Sequence, residues 1–494
     1  MIKKILIANR GEIACRVMRS AREMEIKTVA VFSDIDRNAP HVFMADEAIH
    51  IGASQSKDSY LAIDKIINAC KQTNADAVHP GYGFLSENAN FAKRLHNENI
   101  ILIGPNAASM EIMGGKISAK QAVAAYNVPL IPGIETAITD IALAKRRAEE
   151  IGYPILIKAN AGGGGKGMRL LEQPEDFESQ MRLAISEAVS AFGDGSVFIE
   201  KYISKPRHIE IQIIADNYGN ICYLYERECS IQRRHQKLVE EAPSSILTPS
   251  LRSKIGESAC FVAKACNYSG AGTVEFLLDA DMNYFFLEMN TRLQVEHTVS
   301  ECITGIDIVK EQIRVANGEK LSFTQNEIPI HGHAIELRIC AEDPLNNFLP
   351  DIGTLNTYIR PQGIGIRVDD GIEQGMTIPI YYDPLIAKLI VWANNRTEAI
   401  ARMKRAIQEY KISGVATTID FGTFVMNHPL FISGDFDTNF IKDHFAPLKL
   451  QPVLSNDESQ AAISIVELLI ERNNTCITFP QSKKELPFIE NYTF

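Results

Sequence analysis

The sequence predicts a mixed α/β and α+β fold: an open parallel sheet first, then a small lid, then a large domain rich in antiparallel strands. Three observations carry that expectation. Short apolar runs alternate with helical periods through residue 113, the pattern of a parallel sheet wound with helices. Residues 158–168, Lys-Ala-Asn-Ala-Gly-Gly-Gly-Gly-Lys-Gly-Met, hold five glycines and two lysines between two strand-like runs. Further on, the runs 272–278 and 284–289 flank a polar turn as a hairpin.

At 494 residues the chain exceeds one ordinary domain, and length alone predicts about three. With 46% hydrophobic residues its composition is that of a globular protein. A net charge of −11 excludes bulk basicity that would recruit nucleic acid, though not a local basic pocket. The nine cysteines are scattered without a CxxC pair, so reduced thiols and a cytoplasmic setting are expected. No apolar run approaches the roughly 20 residues that span a membrane. Arg10 and Glu12 interrupt any apolar leader, and no signal or transit peptide is expected.

Residues 3–8 form a short apolar run, and Asn9-Arg10-Gly11 turns. A helical period follows, with Ile13, Val17 and Ala21 spaced by four, then a strand at 27–32. Strands at 48–51, 76–79 and 100–103 and helices around 61–69 and from Ser86 continue the theme. Residues 1–113 therefore read as an open, Rossmann-like α/β domain, whose ligands favour the carboxyl ends of strands. Asn9-Arg10-Gly11 and His79-Pro80-Gly81-Tyr82-Gly83-Phe84 lie at such ends. Gly81 and Gly83 make either a ligand approach or a plain tight turn.

Gly114-Gly115-Lys116 precedes a helix expected over 118–126. A lysine at a helix start opposes the helix dipole, so Lys116 either faces an anion or is solvated. Residues 130–203 read as a mobile lid: helix 140–150, strand 154–158, the glycine loop, strand 168–171, helix 174–190 and strand 196–200. Successive free N–H groups in a glycine loop make a concave anion site, and the lysines add charge, so a phosphate is expected there. A hairpin without a ligand is the other reading. Gly162, Gly164 and Gly167 match GxGxxG, but a strand and not a helix follows. Asn160 and Gly167 break the P-loop pattern. The unit is a strand–loop–strand flap.

Residues 208–213 alternate, with His208, Glu210 and Gln212 on one face and Ile209, Ile211 and Ile213 on the other. The polar face either lines a cleft or is solvated. Asn217-Tyr218-Gly219-Asn220 reads as a hairpin turn. The run 225–237 carries Glu226, Arg227, Glu228, Arg233, Arg234, His235 and Lys237, as a solvated face or an anion holder.

The hairpin centred near 281–282 sets Glu275 opposite Glu288. Like charges across a ladder destabilise it. A divalent cation between them removes the conflict, and Mg²⁺ takes one or two carboxylates with water and substrate phosphates. Asn290 can add an amide oxygen. In the alternative register, one residue off, one glutamate is simply exposed. Arg292 and Glu296 are an ordinary i,i+4 pair if helical. In a loop beside a metal they would bind a small anion and move its proton. Strand 333–341 points Glu336 and Arg338 to one face and Ile335, Leu337 and Ile339 to the other. Arg338 there stabilises an anion or bridges to Glu336 or another carboxylate. Strands at 355–360, 365–368 and 388–393 and a helix at 397–410, with Ile400, Met403 and Ile407 inward, complete a large α+β domain. A last helical period lies at 461–472. The expected division is 1–113, 114–330 with the lid at about 130–203, 331–446, and an extension, 447–494, of unassigned role.

These stretches together resemble the biotin carboxylase component of biotin-dependent carboxylases, in the ATP-grasp superfamily. The matching motifs run from Ile2 to about Ile441. They include Ile7-Ala-Asn-Arg-Gly-Glu-Ile13, His79-Pro-Gly-Tyr-Gly-Phe-Leu-Ser-Glu-Asn88, Lys158 with its loop, Ile199-Glu-Lys-Tyr202 and Arg207-His-Ile-Glu210. They continue with Glu226-Arg-Glu-Cys-Ser-Ile-Gln-Arg-Arg-His-Gln-Lys237 and Glu288-Met-Asn-Thr-Arg-Leu-Gln-Val-Glu-His297. The resemblance implies a ligase that uses ATP and bicarbonate to carboxylate biotin on a carrier protein, by way of carboxyphosphate. It implies that Lys116, Lys158, His208 and Gly163, Gly164 and Gly165 hold ATP phosphates. Glu200, Lys201, Tyr202, Ile203 and Leu277 would frame adenine and ribose, with Gln232 and His235 toward the ribose. Glu275 and Glu288 would carry Mg²⁺ or Mn²⁺, with Asn290 close by. Lys237, Arg292, Gln294 and the Val295 backbone would hold bicarbonate, Glu296 would be its general base, and Arg338 would stabilise the biotin enolate.

Lys166 stands where many relatives have arginine, which keeps charge and loses fork geometry. Thr298 after His297 is similar to pyruvate carboxylases. No Ala-Met-Lys-Met biotinylation motif occurs, so a biotin carboxyl carrier protein and a carboxyltransferase are expected as separate chains. The resemblance also implies a homodimer, and an acetyl-CoA, other acyl-CoA or pyruvate carboxylase, the first serving fatty acid biosynthesis. Two rivals are another bicarbonate- or carboxylate-activating ATP-grasp ligase and a non-catalytic nucleotide-binding scaffold.

Overall fold

The structure, a computed structural model, describes residues 1–134, 140–159, 168–193 and 195–446, together with 460 and 464–465. The loop 160–167, nearly all of the extension and the period expected at 461–472 lie outside the described residues, apart from those few positions.

The first five strands are β1 (Lys4–Ile7), β2 (Lys27–Ser33), β3 (Glu47–Gly52), β4 (Ala77–His79) and β5 (Ile101–Leu102). They pair in parallel in the order β3-β2-β1-β4-β5. Both faces are covered, so the strands read as continuous apolar runs. Leu6 packs with Val29, Ile66 and Phe91 on one side, while Ile5 and Ile7 pack with Ile13 and Val17 on the other. The helix expected from Ser86 begins at Ala89, because the Asn88 side chain accepts the Phe91 N–H as its cap. The helix expected from Ser118 begins at Lys116. Ser118 Oγ bonds back to the Ile112 and Gly115 carbonyls and does not cap.

The region expected to be the lid holds a small sheet of β6 (Ile155–Ala159), β7 (Met168–Leu171) and β8 (Val197–Lys201), in the antiparallel order β7-β6-β8. Its apolar face packs on helices Ile141–Ile151 and Phe177–Phe192 through Ala144, Ala148, Phe177 and Met181. Asp140 caps the first of these by accepting the Ala142 and Leu143 N–H groups. Lys158 pairs with Met168, so the glycine loop connects two antiparallel neighbours.

One antiparallel sheet of eight strands carries the rest. It contains β9 (Arg207–Ala215), β10 (Ile221–Arg233), β11 (Gln236–Ala242), β12 (Gly270–Leu278), β13 (Tyr284–Asn290) and β14 (His333–Cys340), with strands Leu385–Ala393 and Ile366–Asp370. Their order is β13-β12-β9-β10-β11-β14, then Leu385–Ala393, then Ile366–Asp370. Because β11 pairs with β14, the sheet continues past residue 330. Ile209, Ile211, Ile213, Val274 and Phe276 form its apolar face under helix Pro249–Ala265. Leu337, Ile339 and Leu389 do the same under helix Arg396–Glu409, where Met403 is buried. The opposite face carries His208, Glu210 and Gln212 in its middle, while Ile214, Leu224 and Ala271 on it pack with Ile13 and Ile308. Among the described residues no helix is long and apolar enough to cross a membrane.

Arg16 of helix Gly11–Glu23 reaches across from the first sheet to meet Glu301 at 2.7 Å and Asp307 at 3.0 Å, and Arg367 of the large sheet meets the same Glu301 at 2.8 Å. Gly371 lies against the start of helix Gly11–Glu23, where an added Cβ would sit 2.2 Å from the Gly11 carbonyl carbon. Gly371→Ala is therefore expected to lower stability by about 1–3 kcal/mol, the usual cost of overpacking. A denaturant midpoint unchanged from the native protein would contradict that close approach.

Candidate active site

Strand alternation builds the polar face. On β9 it sends His208, Glu210 and Gln212 inward, opposite Leu277, Glu275 and Thr273 of β12. Arg227 of β10 pairs with Glu210 across the other edge of β9. His208, Glu210 and Gln212 are all buried, so this face is not solvated.

Arg227 is wholly buried at 0% exposure. Its Nε donates to Glu210 Oε1 at 2.5 Å, Nη1 to Gln212 Oε1 at 2.6 Å and Ser300 Oγ at 3.1 Å. Its Nη2 donates to Thr273 Oγ1 at 2.9 Å and Gln294 Oε1 at 2.7 Å. The planar fork is thus engaged on every side. The solvated reading of the charge run fails here, since Glu226, Arg227 and Glu228 are buried on a central strand, while Arg234 and His235 are exposed at its tip.

Lys237 sits among three carboxylates. Its Nζ contacts Glu210 and lies 3.0 Å from Glu275 and 2.6 Å from Glu296. Burial lowers its pKa, and the three carboxylates together raise it well above the ordinary value. Glu296 accepts Lys237 on Oε1 and Arg338 Nη2 on Oε2, the latter at 3.0 Å. Burial raises this carboxyl, but Lys237, Arg338 and Arg227 hold it well below the usual carboxylate range. It is an ionised acceptor at neutral pH. Arg338 also donates Nε to Glu240 Oε1 at 2.6 Å, so it bridges two carboxylates and not its strand neighbour Glu336.

Glu275 and Glu288 are direct cross-strand partners, as the hairpin register predicts, and the ladder shifts between Glu275 and Phe276. Glu275 is buried and Glu288 is open to solvent on the cleft floor. Burial raises Glu275, but Lys237 and His208, whose Nε2 lies 2.9 Å away, pull it well below its ordinary value. Glu288 is raised, first by the surrounding protein and then by the Glu275 charge. Cations meet Glu275 and the Glu275 charge still raises Glu288, so this facing pair of hard oxygen donors fits a divalent cation. Asn290 donates Nδ2 to Glu275 at 2.8 Å, and its Oδ1 accepts Arg292 Nη2 at 3.0 Å.

The helix after this hairpin starts at His297, so Arg292 and Glu296 do not form the helical i,i+4 pair. Arg292 donates Nε to Glu87 Oε2 at 2.9 Å. Gln294 donates Nε2 to Glu275 at 3.0 Å. The Val295 carbonyl accepts Lys388 Nζ at 2.9 Å, and the Gln294 carbonyl meets the His297 ring at 2.7 Å. These ties hold an irregular segment in one shape.

At the lid end, Glu200 lies between two lysines. Its Oε2 is 2.5 Å from Lys158 Nζ, and its Oε1 contacts Lys120. Burial, Lys120 and Lys116 lower Lys158 to about 7, against the opposing pull of Glu288. Lys116 stands near the Phe198 ring at 5.9 Å, lowered by burial and raised by Glu288. The Glu200 carboxylate thus faces the lysines, while Lys201 Nζ turns away to the Gly152 and Tyr153 carbonyls. Tyr202 and Ile203 are half-buried on the way out of the lid, and Leu277 is half-buried beside His208. Gln232 Nε2 reaches His208 Nδ1 at 3.3 Å. Gly163, Gly164 and Gly165 lie outside the described residues. The sequence alone did not single out Lys120, Glu87 or Glu240. Each acts across a long separation, and no local spacing marks them.

Three family models match the chain: "Biotin carboxylase, N-terminal domain" over residues 1–110, "Carbamoyl-phosphate synthase L chain, ATP binding domain" over 115–324, and "Biotin carboxylase C-terminal domain" over 336–443. Biotin carboxylase 1 of Bacillus subtilis is 50% identical over 445 residues, 90% of this chain and 99% of that protein. The biotin carboxylase of a Nostoc species is 51% identical over 440 residues, 89% of this chain and 98% of that protein. The biotin carboxylase domain of the Hydrogenobacter thermophilus 2-oxoglutarate carboxylase superposes with a TM-score of 0.86 at 48% identity, covering 90% of this chain and 98% of that one. With the buried carboxylate–cation face already in place, these matches settle the family: the chain belongs to the biotin carboxylases, ATP-dependent carboxylase ligases of the ATP-grasp type.

Proposed function

We propose that this chain carboxylates biotin on a separate carrier protein, using ATP and bicarbonate by way of carboxyphosphate. The observation that carries the reading is Glu296, ionised between Lys237 and Arg338 and next to the facing pair Glu275 and Glu288. The Hydrogenobacter domain is described as a dimer with ADP and its magnesium salt and bicarbonate, which supports the same ligand classes here.

In this reading Lys116, Lys158 and His208 neutralise the triphosphate, with Gly163, Gly164 and Gly165 closing over it. Glu200, Lys201, Tyr202, Ile203 and Leu277 frame the adenine and ribose end, with Gln232 and His235 toward the ribose. Glu275 and Glu288, with Asn290 beside them, hold Mg²⁺ or Mn²⁺, which supplies charge neutralisation at the transferred phosphoryl group. Arg292, Gln294, the Val295 backbone and Lys237 hold bicarbonate. Glu296 accepts its proton as it attacks the γ-phosphate. Carboxyphosphate then divides into CO₂ and phosphate, and that phosphate takes the ureido proton of biotin. Arg338 stabilises the enolate, and the carbon of CO₂ bonds to the ureido nitrogen. Exclusion of water by the lid protects the reactive intermediate.

Residues 1–113, 114–330 and 331–446 are the working parts in this scheme, and the extension 447–494 serves assembly with the partner chains. The chain works as a cytoplasmic homodimer beside a biotin carboxyl carrier protein and a carboxyltransferase. The carboxyltransferase selects acetyl-CoA, another acyl-CoA or pyruvate. Fatty acid biosynthesis follows if the acceptor is acetyl-CoA.

ATP turnover with bicarbonate, measured with and without free biotin, tests the reading. ADP release is expected to depend on bicarbonate and to rise with biotin; no biotin effect at any concentration overturns it. Glu296→Ala should keep nucleotide binding and lose roughly 10²–10⁴-fold in turnover, the usual contribution of a general base. Near-native turnover would remove Glu296 from that role. Glu288→Gln should raise the melting temperature of the nucleotide-free protein and abolish metal-dependent turnover. The Glu288 carboxyl is raised in the folded protein, so its stability contribution is present at low pH and is lost as pH rises through the raised value. The gain from the amide should therefore be larger at pH 8 than at pH 5. An equal gain over the native protein at both pH values would show that the pair does not repel.

A further inference from the structure

Two further carboxylates stand behind Arg338. Glu240 of β11 and Glu336 of β14 are direct cross-strand partners, so their side chains leave the same face, with Cβ atoms about 5 Å apart. Both are wholly buried at 0% exposure. Each has one oxygen tied down: Glu240 Oε1 accepts Arg338, and Glu336 Oε2 accepts the Thr298 hydroxyl. The other two oxygens, Glu240 Oε2 and Glu336 Oε1, are buried with no hydrogen-bond partner among the described residues. A buried acceptor left unpaired is costly, and of two facing carboxylates closed off from solvent each raises the cost of ionising the other. One proton satisfies both oxygens at once.

We propose that Glu240 and Glu336 hold a single proton between Oε2 and Oε1, and that this singly charged pair positions Arg338 between Glu240 and Glu296. With both ionised, the extra negative charge would draw the guanidinium away from Glu296. With both neutral, Arg338 would lose its fixed counter-charge. The surroundings agree. Glu336 faces Lys388 from strand Leu385–Ala393, Thr298 and Cys302 from helix His297–Thr304, and Arg338 along its own strand. Glu240 faces Arg338 and Cys340 of β14, Cys229 of β10, Glu296 from the loop and Lys237 on its own strand. Burial raises Glu240 to about 7 against the pull of Arg338, and burial raises Glu336 well above the ordinary range against Lys388.

The inference rests on the proposed role of Arg338, so its first test is read without turnover. Infrared spectroscopy of the full chain at about pH 8, where ordinary carboxyls are ionised, should show a carboxylic-acid carbonyl band that Glu336→Gln removes. Absence of the band in the native chain overturns the shared proton. The second test is the pH profile. The amide introduced by Glu336→Gln donates to Glu240 Oε2 at every pH, so this variant should keep neutral turnover within about threefold and extend it to higher pH. Glu336→Leu cannot donate and should lose at least about tenfold at neutral pH. Equal loss in both variants overturns the positioning role. Because the band is measured in the absence of substrates, a missing band refutes the shared proton alone, whereas missing biotin stimulation refutes the reaction alone.

Discussion

Burying many carboxylates on one sheet face is the constraint on which the rest depends. Glu210, Glu275, Glu240 and Glu336 all leave water on that face, and Glu296 of the segment after β13 leaves it against them. Such groups are tolerated only when each is paired or protonated. Lys237 meets three of them, Arg227 meets Glu210 and Arg338 meets Glu240 and Glu296. Removing one partner of such a set leaves an uncompensated buried charge, at a cost of about 3–5 kcal/mol. The isoleucines of β9 on the opposite face supply the packing that holds this arrangement in place.

The same requirement shapes how the first sheet is joined to the large one. Lys388 is wholly buried, donates to the Val295 carbonyl at 2.9 Å and lies 3.3 Å from Glu12. Glu12 in turn accepts the Tyr82 hydroxyl. A side chain far along the sequence therefore fixes the segment before Glu296 and reaches the 79–84 turn through one carboxylate. Asn9 holds that turn too, donating to the Pro80 and Tyr82 carbonyls at 2.7 Å. The irregular segment after β13 is thus determined from several elements, none of them adjacent in sequence.

Features with a local period were legible in the sequence. The alternation at 208–213 gave both faces of β9, and the hairpin centre placed Glu275 against Glu288 because a turn fixes register over a few residues. Helix starts were read less well, since Asn88 and Ser118 act through particular side-chain hydrogen bonds that no periodicity reports. The solvated and cleft-lining readings of the 225–237 run were inseparable by composition. Only the position of β10 in the sheet interior decides between them, burying Arg227 and leaving Arg234 outside. The roles of Glu87 and Glu240 depend on partners 205 and 98 positions away.

The closure of the Arg227 site has a consequence for how such a sequence drifts. Its fork touches Glu210, Gln212, Ser300, Thr273 and Gln294, drawn from two strands, a helix and a loop. Lysine retains the charge but cannot reach all five acceptors, and a neutral residue leaves Glu210 with Lys237 as its remaining cation. A lineage can leave this arrangement only by changing two or more of these positions together. Divergence across the cleft should thus appear as correlated exchanges, while the apolar face packed under the helices accepts volume-conserving swaps one at a time.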